Sequence, residues 1–291
     1  QGAGAADASA FVRPAARLGG VWLPAALIAI ISFLGAALDT IREAATTDRE
    51  AERDIAHDPS AACDLDTVAA VSARHPRARQ LVLMTTDAFG DTTGSVEVAV
   101  RDDAGTWRCQ RGPQDAAFGR NGTRPLLQRR SGDGTTPAGV FPLGRVTAWD
   151  GQEFSIFGND PDPGTIAPYR VVRDEDCWGA TPNTARYQHV VDRPGCSGPD
   201  EWLTSFGDAY AHAAVVGANL DPISGDEPGE TPYAAAIFLH RDSYDDAGRA
   251  KPTSGCVSLA IDDLRTTVRL LDPALDPHFA IGPVDWLRSE G

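Results

Sequence analysis

Residues 80–86 read QLVLMTT and residues 95–101 read SVEVAVR; Asp102-Asp103-Ala104-Gly105 then turns the chain back into Thr106-Trp107-Arg108-Cys109. The first segment is a short apolar run and the second alternates with period two. A polar, Gly-containing turn after such runs signals a β-hairpin. Working outward, short strands are expected at 139–143, 210–217, 234–240 and 278–282. Helical spacing is clear only at Ile261, Leu264, Val268 and Leu271, stopped by Asp272-Pro273. A shorter helix is expected near 200–206. Strands divided by Gly-, Pro- and Asp-rich loops predict a mainly β fold, a sandwich or barrel of mostly antiparallel strands with few short helices. Two long loops, 158–197 and 218–232, are expected to rim a site.

Arg13 and Arg17 precede an 18-residue apolar run over 21–38, at the lower limit of what spans a bilayer. Basic residues before it and acidic ones after it predict that the downstream chain lies outside the cytoplasm. The run reads as an N-terminal apolar helix, either a membrane anchor or a signal peptide with Gly35-Ala36-Ala37 as cleavage site. Residues 39–57 are charged, lack Gly and Pro, and read as a stalk broken at Asp58-Pro59-Ser60. The expected organisation is an anchor or signal plus stalk over 1–58 and one folded domain over 59–291. Its location would be extracytoplasmic, with membrane contact only through 21–38. The formal charge of −15 repels phosphates and so argues against nucleic acid and anionic lipid as partners.

The five cysteines are Cys63, Cys109, Cys177, Cys196 and Cys256. Outside the cytoplasm disulfides persist, and an odd count leaves one thiol over. The pairing expected is Cys63–Cys109 and Cys177–Cys196 with Cys256 free, although other connectivities fit the sequence. No C-x-x-C spacing or Cys/His cluster suggests a metal, and no cofactor is implied.

Chemistry concentrates in Ile237-Phe238-Leu239-His240 and, 12 residues on, Thr253-Ser254-Gly255-Cys256-Val257-Ser258-Leu259. An apolar strand delivers the histidine, and the cysteine sits in a small-residue turn read as leading into a helix. A thiol needs a base to become the thiolate nucleophile, and His240 is the candidate. Gly255 leaves room for a substrate carbonyl, and the Gly255 and Cys256 N–H groups are candidates for an oxyanion hole. The carbonyl of Arg241 is a candidate to orient the imidazole.

The run Thr253–Ser258 resembles the catalytic motif of the L,D-transpeptidase domain of the YkuD type. So do Phe118-Gly119-Arg120-Asn121-Gly122, the stretch from Gly132 to Leu143 (GDGTTPAGVFPL) and the Asp272–Pro277 tail, so the likeness runs from about residue 66 to 285. The resemblance implies an exported cysteine acyltransferase acting on peptidoglycan stem peptides. Cys256 would attack at the third residue, expel terminal D-Ala and form a thioester, which an amine converts to a 3→3 cross-link. It implies Cys256, His240 and Gly255 as catalytic, Thr253, Ser254 and Ser258 as substrate contacts, and acylation by carbapenems. Ser254 stands where many relatives have His, and Ser258 where many have Asn or Arg. Alternatives are an L,D-carboxypeptidase on the same substrate and a non-catalytic cell-wall-associated module.

His189, His212 and His278 lack a matching motif, and His278 is the weaker alternative to His240 as base. Tyr187, Trp178 and Asn219 read equally well as cleft lining and as core. Papain-like peptidases place Cys before His, the reverse of the order here, and no sortase-like run is present.

Overall fold

A computed structural model describes residues 62–182, 184–220 and 234–290. The apolar run over 21–38, the stalk, the boundary at 58/59 and residues 221–232 of the second long loop lie outside those residues. The helices are α1 (Leu65–Arg74), α2 (Ile261–Leu270) and α3 (Val284–Ser289). The strands are β1 (Gln80–Thr86), β2 (Thr93–Arg101), β3 (Trp107–Ala117), β4 (Thr123–Pro125), β5 (Thr136–Pro142), β6 (Val146–Thr147), β7 (Glu153–Phe154) and β8 (Ile156–Gly158). They continue with β9 (Tyr169–Val171), β10 (Asp176–Trp178), β11 (Val190–Asp192), β12 (Glu201–Trp202), β13 (Ala213–Val215), β14 (Phe238–Arg241), β15 (Val257–Leu259) and β16 (Pro277–Pro283).

Eleven strands form one sheet in the order β4-β5-β16-β1-β2-β3-β15-β14-β13-β8-β9. The expected hairpin is its centre: β2 and β3 pair antiparallel up to Arg101 opposite Trp107. Gly105, at φ +86°, takes the left-handed position of the turn, and the Asp102 carboxylate accepts the Thr106 N–H at 2.9 Å. β1 is buried along its whole length because the sheet is covered on both sides. Leu81 and Leu83 pack on Val68 and Val71 of α1 and Leu287 of α3. Val82 and Met84 face the opposite way, into a core shared with Leu264 and Val268 of α2. A strand with two covered faces needs a continuous apolar run, which QLVLMTT supplies. Each fully buried aliphatic side chain there contributes about 1.5–3 kcal/mol.

The sheet is mixed: most neighbouring strands pair antiparallel, as expected, but four pairs do not. β1 with β16, β14 with β15, β4 with β5 and β8 with β9 are all parallel. The first of these joins Gln80 to Pro277, a register that no local pattern announces. A bridge between Leu143 and Val216 ties the end of β5 to the end of β13, so strands far apart in the sheet enclose one core.

Two helices lie where the sequence reading placed none. α1 has only Val68 and Val71 as inward aliphatic residues, too few for a strong period, and is held by its Asp64 cap, which accepts the Thr67 N–H at 3.1 Å. α3 clamps it from outside, with Arg288 donating to Asp64 at 2.9 Å. The helix expected near 200–206 is instead β12 followed by a 3-10 helix, Leu203–Tyr210. The loop 158–197 is not structureless, since it carries β9, β10 and β11. β11-β10-β12 form a separate three-stranded sheet whose residues share an aromatic core with β8 and β14.

The disulfides are Cys63–Cys109 and Cys177–Cys196, and Cys256 is free and buried. Their sequence separations of 46 and 19 residues correspond to about 4 and about 3 kcal/mol of loop-closure stabilisation.

Candidate active site

The turn that carries Cys256 is built from three distant stretches. Thr253 bridges Gly119 in parallel fashion, its N–H bonded to the Phe118 carbonyl at 2.7 Å and its own carbonyl accepting the Arg120 N–H at 2.8 Å. The Thr253 hydroxyl then donates to the Cys256 carbonyl at 2.6 Å and accepts the Gly255 N–H at 3.1 Å. From β5, the Thr136 hydroxyl donates to the same carbonyl at 3.1 Å while accepting the Gly119 N–H at 2.8 Å. Gly255 sits at φ +148°, where a Cβ would also come within 3.1 Å of the Thr135 carbonyl. The Phe118–Gly122 and Gly132–Leu143 motifs therefore scaffold the cysteine turn.

Two expectations change here. Cys256 precedes β15, and α2 begins only at Ile261, so the thiol does not lie at a helix N-terminus and no helix dipole acts on it. The Gly255 N–H is committed to Thr253, which leaves the Cys256 N–H as the oxyanion candidate.

The Cys256 thiol donates to the Ala236 carbonyl at 3.4 Å and accepts the Phe238 N–H at 3.4 Å. In the β14/β15 ladder Leu239 faces Val257 and His240 faces Ser258. Because side chains alternate, Cys256 and His240 project from the same face, two residues apart in the register. Phe238, Tyr210 and Cys256 pack together on that face, and the Tyr210 ring lies 5.6 Å from the His240 ring. No hydrogen bond joins the thiol to the imidazole. His240 Nδ1 lies 2.7 Å from the Arg241 carbonyl, which fixes the tautomer with the proton on Nδ1 and leaves Nε2 as the accepting nitrogen.

Burial pushes the thiol of Cys256 up to about 12; repulsion from Glu201 adds to the rise, while the Phe238 N–H and the Arg129 charge oppose it. Burial likewise pushes His240 down to about 4, partly countered by its bond to Arg241. At neutral pH the resting pair is a neutral thiol beside a neutral imidazole. For a thiol in that state to act as a nucleophile, its proton would have to leave as it attacks.

Cys256, Gly255 and Ser254 line a cavity of about 370 Å³ together with Ile237, Arg129 and Glu201. Among the described residues two charged groups line it, and they bear on the thiol with opposite sign. Arg129 is buried, with its guanidinium on Thr135 at 3.2 Å and Asp133 at 3.3 Å. Glu201 lies on β12, its Oε2 accepting the Tyr210 hydroxyl at 2.6 Å, and burial lifts its carboxyl to about 7. Neither residue carries a functional sequence signal: Arg129 stands in an ordinary basic stretch and Glu201 in the stretch read as a short helix. A larger cleft of about 520 Å³, lined by Thr85, Asp87, Asp115 and Asp242, shares no residue with the thiol cavity.

Of the expected substrate contacts, Ser254 is exposed at the cavity wall, its hydroxyl accepting from Arg120 at 3.3 Å. Thr253 shapes the turn. Ser258 is fully buried away from the cavity and donates to Asp242 at 2.7 Å. His189, His212 and His278 lie elsewhere; His212 bonds the Tyr169 hydroxyl at 2.9 Å. Trp178, Tyr187 and Asn219 are core residues, with the Asn219 amide on the Tyr187 oxygen and the Ala234 carbonyl, both at 3.0 Å. Among the described residues no three His, Cys, Asp or Glu side chains gather as metal ligands, and no helix is long and apolar enough to cross a membrane.

A mixed β scaffold that holds one unpaired thiol at the wall of a cavity, with a histidine on the same face, has the form of a cysteine acyl-transfer domain. The family model of the L,D-transpeptidase catalytic domain (YkuD) matches residues 92–279, and the chain belongs to that family. Its members are cysteine-dependent L,D-transpeptidases acting on peptidoglycan stem peptides. No curated protein and no solved structure matches the chain.

Proposed function

We propose that the chain is an extracytoplasmic cysteine L,D-transpeptidase, with a catalytic domain over 59–291 displayed outside the membrane by the segment over 21–38. Cys256 Sγ attacks the carbonyl of the third stem residue as His240 Nε2 takes its proton, and the Cys256 N–H holds the oxyanion. The imidazolium returns that proton to the departing amine of D-Ala, leaving a thioester on Sγ. An amine of a second stem attacks the thioester carbonyl, the C–S bond breaks and a 3→3 cross-link forms.

The observation that carries this reading is the free thiol of Cys256 at the wall of an open cavity while the other four cysteines are paired. The test is intact-mass spectrometry with a tetrapeptide stem or a carbapenem. A covalent adduct is expected on the wild-type chain and not on Cys256→Ala. A folded wild-type chain that forms no adduct with either would leave the reading of a non-catalytic module. Product analysis with a stem acceptor separates cross-linking from the carboxypeptidase outcome.

A further inference from the structure

Resolving a thioester with an amine requires two proton acceptors. A primary amine of pKa near 10 enters as an ammonium at neutral pH and cannot attack until it loses one proton. A second proton leaves nitrogen as the amide forms. His240, neutral after D-Ala has gone, accounts for that second proton: Nε2 receives it and passes it to the departing Sγ. The first proton needs another group.

The cavity that holds Cys256 has Glu201 on its wall, and among the described residues the other charged side chain lining it, Arg129, cannot accept a proton. We propose that Glu201 is this second base: its carboxylate draws the acceptor ammonium into the cavity and takes its first proton, freeing the amine to attack the thioester. The inference rests on the transpeptidase reading above. It adds to Cys256 and His240 a catalytic residue that touches the incoming nucleophile.

The surroundings of Glu201 suit the task. The Tyr210 hydroxyl fixes Oε2 at 2.6 Å, which stabilises the charged form and orients the carboxylate. The same tyrosine packs its ring 5.6 Å from both His240 and Phe238, so one side chain braces both bases. The groups that bear on Glu201 are Tyr210 from the 3-10 helix and Cys256 from the turn before β15, with Arg129 on the same cavity wall. Burial lifts the carboxyl to about 7, so it can take a proton from an ammonium and release it to water each turnover. Before acylation the carboxylate opposes thiolate formation; once Sγ is a neutral thioester that conflict is gone.

The test uses the full chain, acylated with donor stem peptide and then mixed with either a primary-amine stem acceptor or hydroxylamine, which is unprotonated at neutral pH. Loss of the thioester is followed by mass. Glu201→Gln is expected to slow the primary-amine reaction roughly a hundredfold more than it slows acylation. Hydroxylamine, which needs no deprotonation, is expected to resolve the variant's thioester within a fewfold of the wild-type rate. Glu201→Asp, which keeps a carboxylate, restores part of the primary-amine rate and serves if the Gln variant does not fold. Resolution of the Glu201→Gln thioester by the primary amine at the wild-type rate, or equal slowing with both amines, overturns the inference. Failure of the wild-type chain to acylate at all overturns the transpeptidase reading instead.

Discussion

The Thr136 hydroxyl donates to the Cys256 carbonyl at 3.1 Å, joining the strand of one motif to the cysteine turn of another across 120 residues. It also accepts the Gly119 N–H at 2.8 Å, so one buried oxygen satisfies two backbone groups. Thr136→Val keeps the shape and removes both bonds, leaving the Gly119 N–H without its acceptor. We expect a loss of about 1–3 kcal/mol in chemical denaturation. Acylation of Cys256 should slow as well, because the Cys256 carbonyl then keeps only the Thr253 hydroxyl of its two donors. Unchanged stability and unchanged acylation would show that Thr136 does not hold the turn.

Thiol chemistry tests the resting state directly. Under denaturing, non-reducing conditions one thiol per chain is expected, from Cys256. In the folded chain burial and Glu201 push that thiol up to about 12, against 9.0 in an open environment. Iodoacetamide alkylation at pH 8 should therefore be at least roughly a hundredfold slower folded than unfolded, since the thiolate is the reactive form. Rapid alkylation of the native chain would mean that the thiolate is already formed at rest.

Glu97 provides a pH-dependent stability test away from the cavity. It is buried on β2, and burial and then the charge of Asp64 raise its carboxyl to about 7, while its bond to the Asp64 N–H at 2.9 Å opposes the rise. A folded-state value above the unfolded 4.5 means that its contribution is fully present below 4.5 and is lost as pH rises through 7. Glu97→Gln, which accepts the same N–H without ionising, should thus exceed the wild type by about 2–3 kcal/mol at pH 9 and differ little at pH 4. Urea denaturation at the two pH values measures the difference, and a gap that does not grow with pH refutes the assignment.

The two disulfides should have separable effects. Cys177–Cys196 staples the three-stranded sheet that brings Glu201 to the cavity, whereas Cys63–Cys109 ties the start of α1 to β3. Paired substitution of Cys177 and Cys196 by Ser should cost about 3 kcal/mol. It should also raise hydrogen exchange over 176–202 and slow thioester resolution by amines. The matching Cys63/Cys109 pair should cost about 4 kcal/mol with a smaller effect on resolution. Equal effects of the two pairs on resolution would disconnect the small sheet from the chemistry.

The sequence by itself determined the local elements and the chemistry-bearing residue types. Apolar continuity marked β1, period two and a Gly turn marked the β2–β3 hairpin, and helical spacing marked α2, because each signal is contained within one element. The odd cysteine count and the ordered motifs likewise singled out Cys256 and His240, which project from one face, His240 on β14 and Cys256 in the turn just before β15. Tertiary structure alone decided the parallel registers, the closure of β5 onto β13 and the helix α1, whose short inward face is stabilised by partners more than 30 residues away. It also decided which polar groups share the cavity: Ser258, two residues from Cys256, is spent on Asp242, while Glu201 arrives on a separate small sheet. Spacing along the chain reports which way neighbours point within one element. The position of a buried charge depends on which elements pack together, and that is set by the summed burial of surfaces distant in sequence.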